Sequence, residues 1–198
     1  MPILPTLGAF ATILAGLMMV MGNRRTVLLA GMLVHYGAVV LLATPSLGSS
    51  LALLKLATGA MTIAILWLSL RDEPQLAEAH SKDLIDRPIF RASLLVLVLT
   101  AGWGLGRTSW LEIPALSSTA EIGATMLLTL GLMIAGFFDE PLRVGSGIIT
   151  GLSGFEVIYA AVEPSLAVLA LLAGVQLGLA LIIGFLAQVD RSAREGVS

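Results

Sequence analysis

Long apolar stretches separated by short polar segments run along the whole chain. A bilayer-spanning α-helix needs about 20 mostly apolar residues. These stretches are too long and too continuous for a membrane β-barrel, whose strands alternate in segments of about ten residues. The pattern predicts an all-α polytopic membrane protein with about seven transmembrane helices. The predicted spans are residues 3–21, 26–44, 50–70, 90–106, 120–138, 144–162 and 165–188. The fourth contains Gly102, Gly104 and Gly106, so we expect the weakest helix there, tilted or broken.

Basic residues are distributed unevenly between the predicted loops, and Lys and Arg concentrate on the cytoplasmic side of membrane proteins. With seven spans, the odd-numbered loops and the C-terminal tail share one side. That side carries Arg24, Arg25, Arg71, Lys82, Arg87, Arg91, Arg143, Arg191 and Arg194, whereas the other side carries Arg107. We therefore expect the N-terminus outside and the C-terminus in the cytoplasm, with the protein in the inner (plasma) membrane of the cell.

The composition narrows the possible functions. With 57% hydrophobic and 12% charged residues, the chain cannot cover itself with polar surface as a water-soluble globule does. Cysteine is absent, which excludes disulfides, zinc–cysteine sites and cysteine-ligated iron–sulfur clusters. The net charge of −2 and the lack of a basic run argue against a nucleic-acid partner. The motifs GxSxG, Walker A, HExxH and GxGxxG, which indicate catalytic or nucleotide-binding sites in soluble enzymes, are also missing. We expect no catalytic site, metal or cofactor of its own in this chain.

One polar stretch divides the chain. Residues 71–91 carry charges of both signs and two prolines. We predict a three-helix membrane unit over 1–70, a polar cytoplasmic linker over 71–91, a weak fourth helix with an outer loop over 92–119, and a three-helix unit with a cytoplasmic tail over 120–198. The linker is interpreted as a solvated loop, with docking of a cytoplasmic partner as the alternative.

We single out four polar residues inside the predicted spans as functional candidates. An ionised side chain at mid-membrane costs about 2.5–3.5 kcal/mol on insertion scales, so each such residue is a functional candidate. The four are His35 in the second span, Lys55 in the third, Glu156 in the sixth and Gln176 in the seventh. Together they form the predicted proton path.

Glu156 is the most informative of these residues. The nearby Gly147, Gly151 and Gly154 allow another helix to approach closely, so we expect Glu156 to face protein and not lipid. A carboxyl group that exchanges a proton at this depth would serve a proton relay. The alternative is a protonated carboxyl group that holds a neighbouring helix through a hydrogen bond.

The other three residues each leave two interpretations open. Lys55 lies about 7–8 Å from the start of its helix, so its amine either snorkels to the interface or pairs with Glu156 or Glu163. His35 either titrates near physiological pH or packs as a hydrogen-bonded residue. Gln176 carries no charge, but it can hold a water molecule or another helix.

The last three spans carry a family resemblance. Residues 127–187 (LLTLGLMIAGFFDEPLRVGSGIITGLSGFEVIYAAVEPSLAVLALLAGVQLGLALIIGFLA) resemble the K-type subunit of respiratory complex I and the C subunit of Mrp-type cation/proton antiporters. The shared pattern is a polar turn after the first helix, a Gly-rich second helix with a central Glu, and a third helix with a Glu. Glu156 matches the second-helix Glu, and Gln176 stands at the third-helix Glu position. In that family the two carboxylates belong to a central hydrophilic axis for protons.

The first three spans are similar to the J-type subunit. The layout of residues 22–70 agrees with that family, although Ala57 stands where the motif Tyr-x-Gly-Ala has its Tyr. A chain that joins J-like and K-like parts is similar to component E of the formate-hydrogenlyase-type membrane hydrogenases. The resemblance implies a membrane subunit of a proton- or cation-translocating assembly, in contact with larger antiporter-like subunits. A purely structural or assembly subunit is the alternative, and a small stand-alone transporter is a third.

Overall fold

The elements of secondary structure in the described part of the chain are all α-helices. The computed structural model describes residues 3–44, 49–69, 87–108, 116–163 and 165–195. These residues form α1 (Ile3–Met21), α2 (Arg25–Ala43), α3 (Ser49–Ser69), α4 (Pro88–Arg107), α5 (Ser118–Phe137), α6 (Pro141–Val162) and α7 (Leu166–Glu195). All seven are long and apolar enough to cross a membrane. The predicted spans are confirmed to within three residues at every boundary except the end of α7. Most of the predicted linker, residues 71–86, lies outside the described residues.

Helix boundaries follow from local chemistry. Pro88 and Pro141 open α4 and α6, at the helical position where the missing N–H of proline has no intrahelical partner to lose. Ser117 caps α5, since its hydroxyl accepts a hydrogen bond from the backbone N–H of Ala120 at 3.3 Å. α7 continues to Glu195, beyond the predicted end at 188, because no proline or glycine interrupts its polar end.

Glycines let α5 and α6 pack backbone against backbone. A Cβ atom on Gly131 would lie 2.2 Å from the backbone nitrogen of Gly151, and one on Gly147 would lie 2.6 Å from that of Ala135. Gly154 meets the carbonyl oxygen of Ala124 in the same way. This is the small-residue packing expected for the sixth span, and α5–α6 is one of the two most extensive contacts among the described helices, together with α1–α2.

The glycines of α4 also serve packing. Cβ atoms on Gly102 and Gly106 would come within 3 Å of the α5 backbone, and the Thr125 hydroxyl donates to the Gly102 carbonyl oxygen at 2.9 Å. α4 is continuous from Pro88 to Arg107, so of the two alternatives, a tilted or a broken helix, the structure excludes the broken one. Close approach to α5 explains two of the three glycines without a break in the helix.

Three arginines lie at one end of the bundle, which we call the arginine end (Arg25, Arg91 and Arg143). Arg91, near the start of α4, donates to Asn23 Oδ1 between α1 and α2 at 2.8 Å. The guanidinium of Arg143 donates to the carbonyl oxygens of Met19, Val20 and Gly22 at the end of α1, at 3.4, 3.2 and 2.5 Å. Arg25 donates to the Trp67 carbonyl oxygen near the end of α3. The carbonyls of Met19 and Val20 lie in the last turn of α1, where a helix leaves its carbonyl oxygens without intrahelical donors, so Arg143 caps this helix end from α6.

Helices from the front and rear of the chain share one core. α1 packs on α5, α2 on α6, and α3 on α7. The largest group of buried apolar side chains includes Met19 of α1, Leu66 of α3 and Ile183 of α7. As a result, four helices, α2, α3, α6 and α7, surround the buried polar residues of the third, sixth and seventh spans.

Candidate functional site

Lys55 and Glu156 form an ion pair inside the bundle. The Lys55 Nζ atom donates to Glu156 Oε2, and it also donates to Gln176 Oε1 at 2.9 Å. The two charged side chains are only 12% and 5% exposed. Of the two interpretations of Lys55, the structure shows pairing with Glu156 rather than snorkelling to the interface. Glu156 faces protein, as predicted.

Gln176 connects both charges to a fourth residue. Its side chain is fully buried, its amide oxygen accepts from Lys55, and its NH₂ group donates to Glu156 Oε2 at 3.2 Å and to Ser153 Oγ at 3.1 Å. Because the NH₂ group donates to two residues of α6, the amide oxygen on its other side faces the Lys55 ammonium. We call Lys55, Ser153, Glu156 and Gln176 the Lys–Glu cluster. Ser153 was not among the residues predicted for the site, although it lies one helical turn before Glu156 on the same helix.

Tyr36 covers one side of the cluster, and His35 lies beside it. The Lys55 Nζ atom is 5.6 Å from the centroid of the Tyr36 ring, which is a cation–π distance. The rings of His35 and Tyr36 meet edge to face at 5.3 Å. Neither ring nitrogen of His35 has a hydrogen-bond partner among the described residues, and the same holds for the hydroxyls of Tyr36 and Thr62. His35 is therefore a packed residue next to the cluster, without the hydrogen bond expected of a packing histidine.

A small cavity borders the ion pair. It offers about 20 Å³ to the centres of water molecules, which is room for at least one water. Its walls are Val39, Ala43, Leu54, Lys55, Thr58, Glu156, Val157, Leu169 and Ala173. These residues come from the end of α2, the start of α3, the end of α6 and the start of α7, so the cavity lies away from the arginine end. We call the end of the bundle where α2 and α6 end the far end.

A row of buried hydroxyl groups leads from the cluster in the other direction. Ser146, Thr150 and Ser153 are fully buried, and their spacing of four and three residues places them on one face of α6. Ser146 donates to the Arg143 carbonyl oxygen and Thr150 to that of Ser146, both at 2.7 Å. From Glu156 to Arg143, this face covers about 20 Å at 1.5 Å per residue. This row was not predicted, although the sequence shows its signal: Ser and Thr residues repeat at helical spacing within an apolar span.

The chemistry available in the cluster is the binding of a proton or a cation. Each charge of the buried pair has a second polar partner, which offsets the loss of hydration that makes isolated buried charges unfavourable. Within the described ranges, no group of three or more His, Cys, Asp or Glu side chains could hold a metal ion. The cluster offers carboxylate, amide and hydroxyl oxygens and an ammonium, all from side chains.

Comparison with known proteins adds no relative to this picture. The chain matches no protein-family model, no curated protein and no solved structure.

Proposed function

We propose that this chain is a membrane subunit of a complex I-related assembly that translocates protons or other cations, and that the Lys–Glu cluster lies on its ion path. The observation that carries the proposal is the ion pair of Lys55 and Glu156, which lies between four apolar helices. Gln176 forms hydrogen bonds with both members of the pair. Charged groups at such depth are energetically unfavourable. In membrane proteins, residues of this kind commonly belong to an ion or proton pathway.

The surroundings of the pair favour a path over a static contact. The cavity borders Lys55 and Glu156 on the side of the far end. On the other side, the hydroxyl row of α6 continues from Ser153 towards the arginine end. Transfer of a proton from the Lys55 ammonium to the Glu156 carboxylate converts the ion pair into a neutral pair. The net charge of the apolar interior stays constant during this step, so the transfer avoids the penalty of an isolated buried charge.

The family resemblance supports the same assignment. Glu156 and Gln176 stand at the two positions where K-type subunits carry carboxylates, and their side chains lie 3.2 Å apart here. In this proposal His35 assists as a water-holding neighbour. By the distribution of basic residues, the arginine end faces the cytoplasm, the N-terminus lies outside, and the protein resides in the inner membrane. Larger antiporter-like subunits bind this chain and supply the driving reaction.

The direct test is Glu156→Gln in the assembled complex, reconstituted in vesicles. The amide keeps the size of the side chain but cannot carry a proton, so ion pumping should be lost while the subunit still assembles. Glu163→Gln is the matched control, because Glu163 lies at the exposed end of the same helix. Unchanged pumping by a normally assembled Glu156→Gln complex would contradict the proposal.

A purely structural subunit is the second candidate. The observation that favours it is Gln176, which cannot hold a charge and whose hydrogen bonds join α3, α6 and α7. In that case Glu156→Ala would reduce assembly, and the complexes that do assemble would pump at the normal rate per complex. Loss of pumping per assembled complex rejects this candidate.

A further inference from the structure

We infer that the Lys55 ammonium occupies a binding site for a free monovalent cation, and that Lys55 is a tethered competitor of that cation. The inference rests on the proposed function, because it assigns a ligand to the same Lys–Glu cluster. It goes further, since it gives the cluster a binding site that the proton path does not require.

The atoms around the ammonium are those that bind an alkali cation. Glu156 Oε2 and Gln176 Oε1 face the Lys55 Nζ atom, and the ring of Tyr36 lies on another side at 5.6 Å. Carboxylate and amide oxygens are hard ligands, and an aromatic face also attracts cations. Thr58 lines the adjoining cavity, and its hydroxyl, which donates to the Leu54 carbonyl oxygen at 2.8 Å, keeps its acceptor lone pairs.

The amide oxygen is held in place without the lysine. The NH₂ group of Gln176 is anchored by Ser153 and by Glu156, so the orientation of the amide does not depend on the ammonium. The cation ligands therefore remain aligned when Lys55 moves away. Such preorganisation lowers the entropy lost on binding an ion.

The charge balance of the site favours a monovalent cation over a divalent one. The site has one carboxylate, and the Lys55 ammonium balances it. Exchange of the ammonium for Na⁺ or K⁺ keeps this balance, whereas a divalent ion would leave an uncompensated positive charge in an apolar interior.

The adjoining cavity provides the room that the exchange needs. It borders both Lys55 and Glu156 and lies towards the far end. Lys55 is close to the start of α3, and a lysine side chain can extend its amine to the membrane interface while its methylene groups stay in apolar surroundings. An entering cation can therefore take the place of the ammonium as the lysine turns towards the far end.

Removal of the competitor tests the inference. The purified full chain in detergent is compared as wild type, Lys55→Ala and Lys55→Ala/Glu156→Gln, with NaCl, KCl, MgCl₂ or choline chloride at equal ionic strength. We expect Lys55→Ala to bind about one Na⁺ or K⁺ per chain and to be thermally stabilised by that salt, with an affinity at least about tenfold above wild type. The double variant should bind neither ion. A lack of binding by Lys55→Ala, or tighter binding of Mg²⁺ than of either ion, would overturn the inference.

A second measurement uses the native lysine and remains valid if Lys55→Ala fails to fold. The chain has two lysines, Lys55 and Lys82, so an amine-reactive reagent read out by mass spectrometry resolves Lys55 by site. In the Lys82→Arg chain, Na⁺ or K⁺ should increase the rate of labelling of Lys55 relative to choline. An equal rate in all three salts would contradict displacement of the lysine.

The outcomes separate this inference from the proposed function. If Glu156→Gln stops pumping but Lys55→Ala binds no cation, the ion path stands and the cation site is rejected. If Lys55→Ala binds the cation but Glu156→Gln pumps normally, the cation site stands and the ion path is rejected.

Discussion

The arginine end and the Lys–Glu cluster both bury cations, but they satisfy them in different ways. Arg143 is 4% exposed, and its guanidinium donates to three backbone carbonyl oxygens at the end of α1 and, through Nε, to Glu140 Oε2 at 3.1 Å. Lys55 is held by the side chains of Glu156 and Gln176 and by the ring of Tyr36. Backbone carbonyls at a helix end are fixed, whereas side chains can turn and exchange protons.

The neighbourhoods of the two cations share one feature and differ in another. Each cation lies over an aromatic ring, Arg143 over Phe138 at 4.9 Å and Lys55 over Tyr36 at 5.6 Å. Lys55 also borders a cavity that has room for water. Burial of a charge thus does not by itself identify a functional residue in this protein. The type of partner and the space beside the charge distinguish a helix cap from a candidate ion path.

The largest effect on stability is expected at the arginine end. Arg143→Ala leaves buried carbonyl oxygens without donors, and we expect a loss of about 3–5 kcal/mol in the free energy of unfolding. Arg24→Ala is the matched control, because this exposed neighbour should change the same quantity by less than about 0.5 kcal/mol. Unfolding in mixed micelles measures both. A similar, small loss in the two variants would show that Arg143 does not cap α1.

A double-mutant cycle on the ion pair comes next. Lys55→Met or Glu156→Gln alone leaves one buried charge without its counter-charge, and each should cost about 2–4 kcal/mol of unfolding free energy. The double variant should lose less than the sum of the two, by about 1–3 kcal/mol, because both charges are removed together. Strict additivity would show that the two residues do not interact.

Gln176 should have a smaller effect on stability. Gln176→Leu removes three hydrogen bonds and leaves the charged pair in place, so we expect a loss of about 1–3 kcal/mol in the same unfolding assay. Gln176→Glu adds a carboxylate beside Glu156, and it tests whether a second charge is tolerated there. If Gln176→Leu is as stable as wild type, Gln176 does not join the helices as described.

The smallest effect is expected at Tyr36. Tyr36→Phe keeps the aromatic face over Lys55 and removes a hydroxyl that has no hydrogen-bond partner among the described residues. The free energy of unfolding should therefore change by less than about 0.5 kcal/mol. Tyr36→Leu removes the ring and should cost more. Equal losses in the two variants would exclude a cation–π contribution to the site.

The sequence predicted the spans well because bilayer thickness sets helix length and apolar residues mark it. It missed the last turns of α7, where polar residues continue the helix without a breaker. It identified Lys55 and Glu156 but left Glu163 as an alternative partner, since both carboxylates lie near the same end of α6. The choice depends on which of the two carboxylates faces Lys55 across the bundle, and that is decided by long-range packing.

Other contacts could not be read from the sequence at all. The bond from Arg143 to α1 joins residues more than 120 positions apart, and no local pattern predicts that these two helix ends meet. The hydroxyl row of α6 has a helical spacing, but serines and threonines in membrane helices often bond only to their own backbone. Their burial is relevant to an ion path only because the Lys–Glu cluster lies at the end of the row, and the sequence does not give that position.

The most direct test of the central claim is ion pumping by the assembled complex that carries Lys55→Met/Glu156→Gln. In this variant the ion pair is replaced by neutral side chains of similar size, so the subunit should fold and assemble. We predict that the complex assembles normally and does not pump. Pumping at the wild-type rate would contradict the claim that the Lys–Glu cluster lies on the ion path.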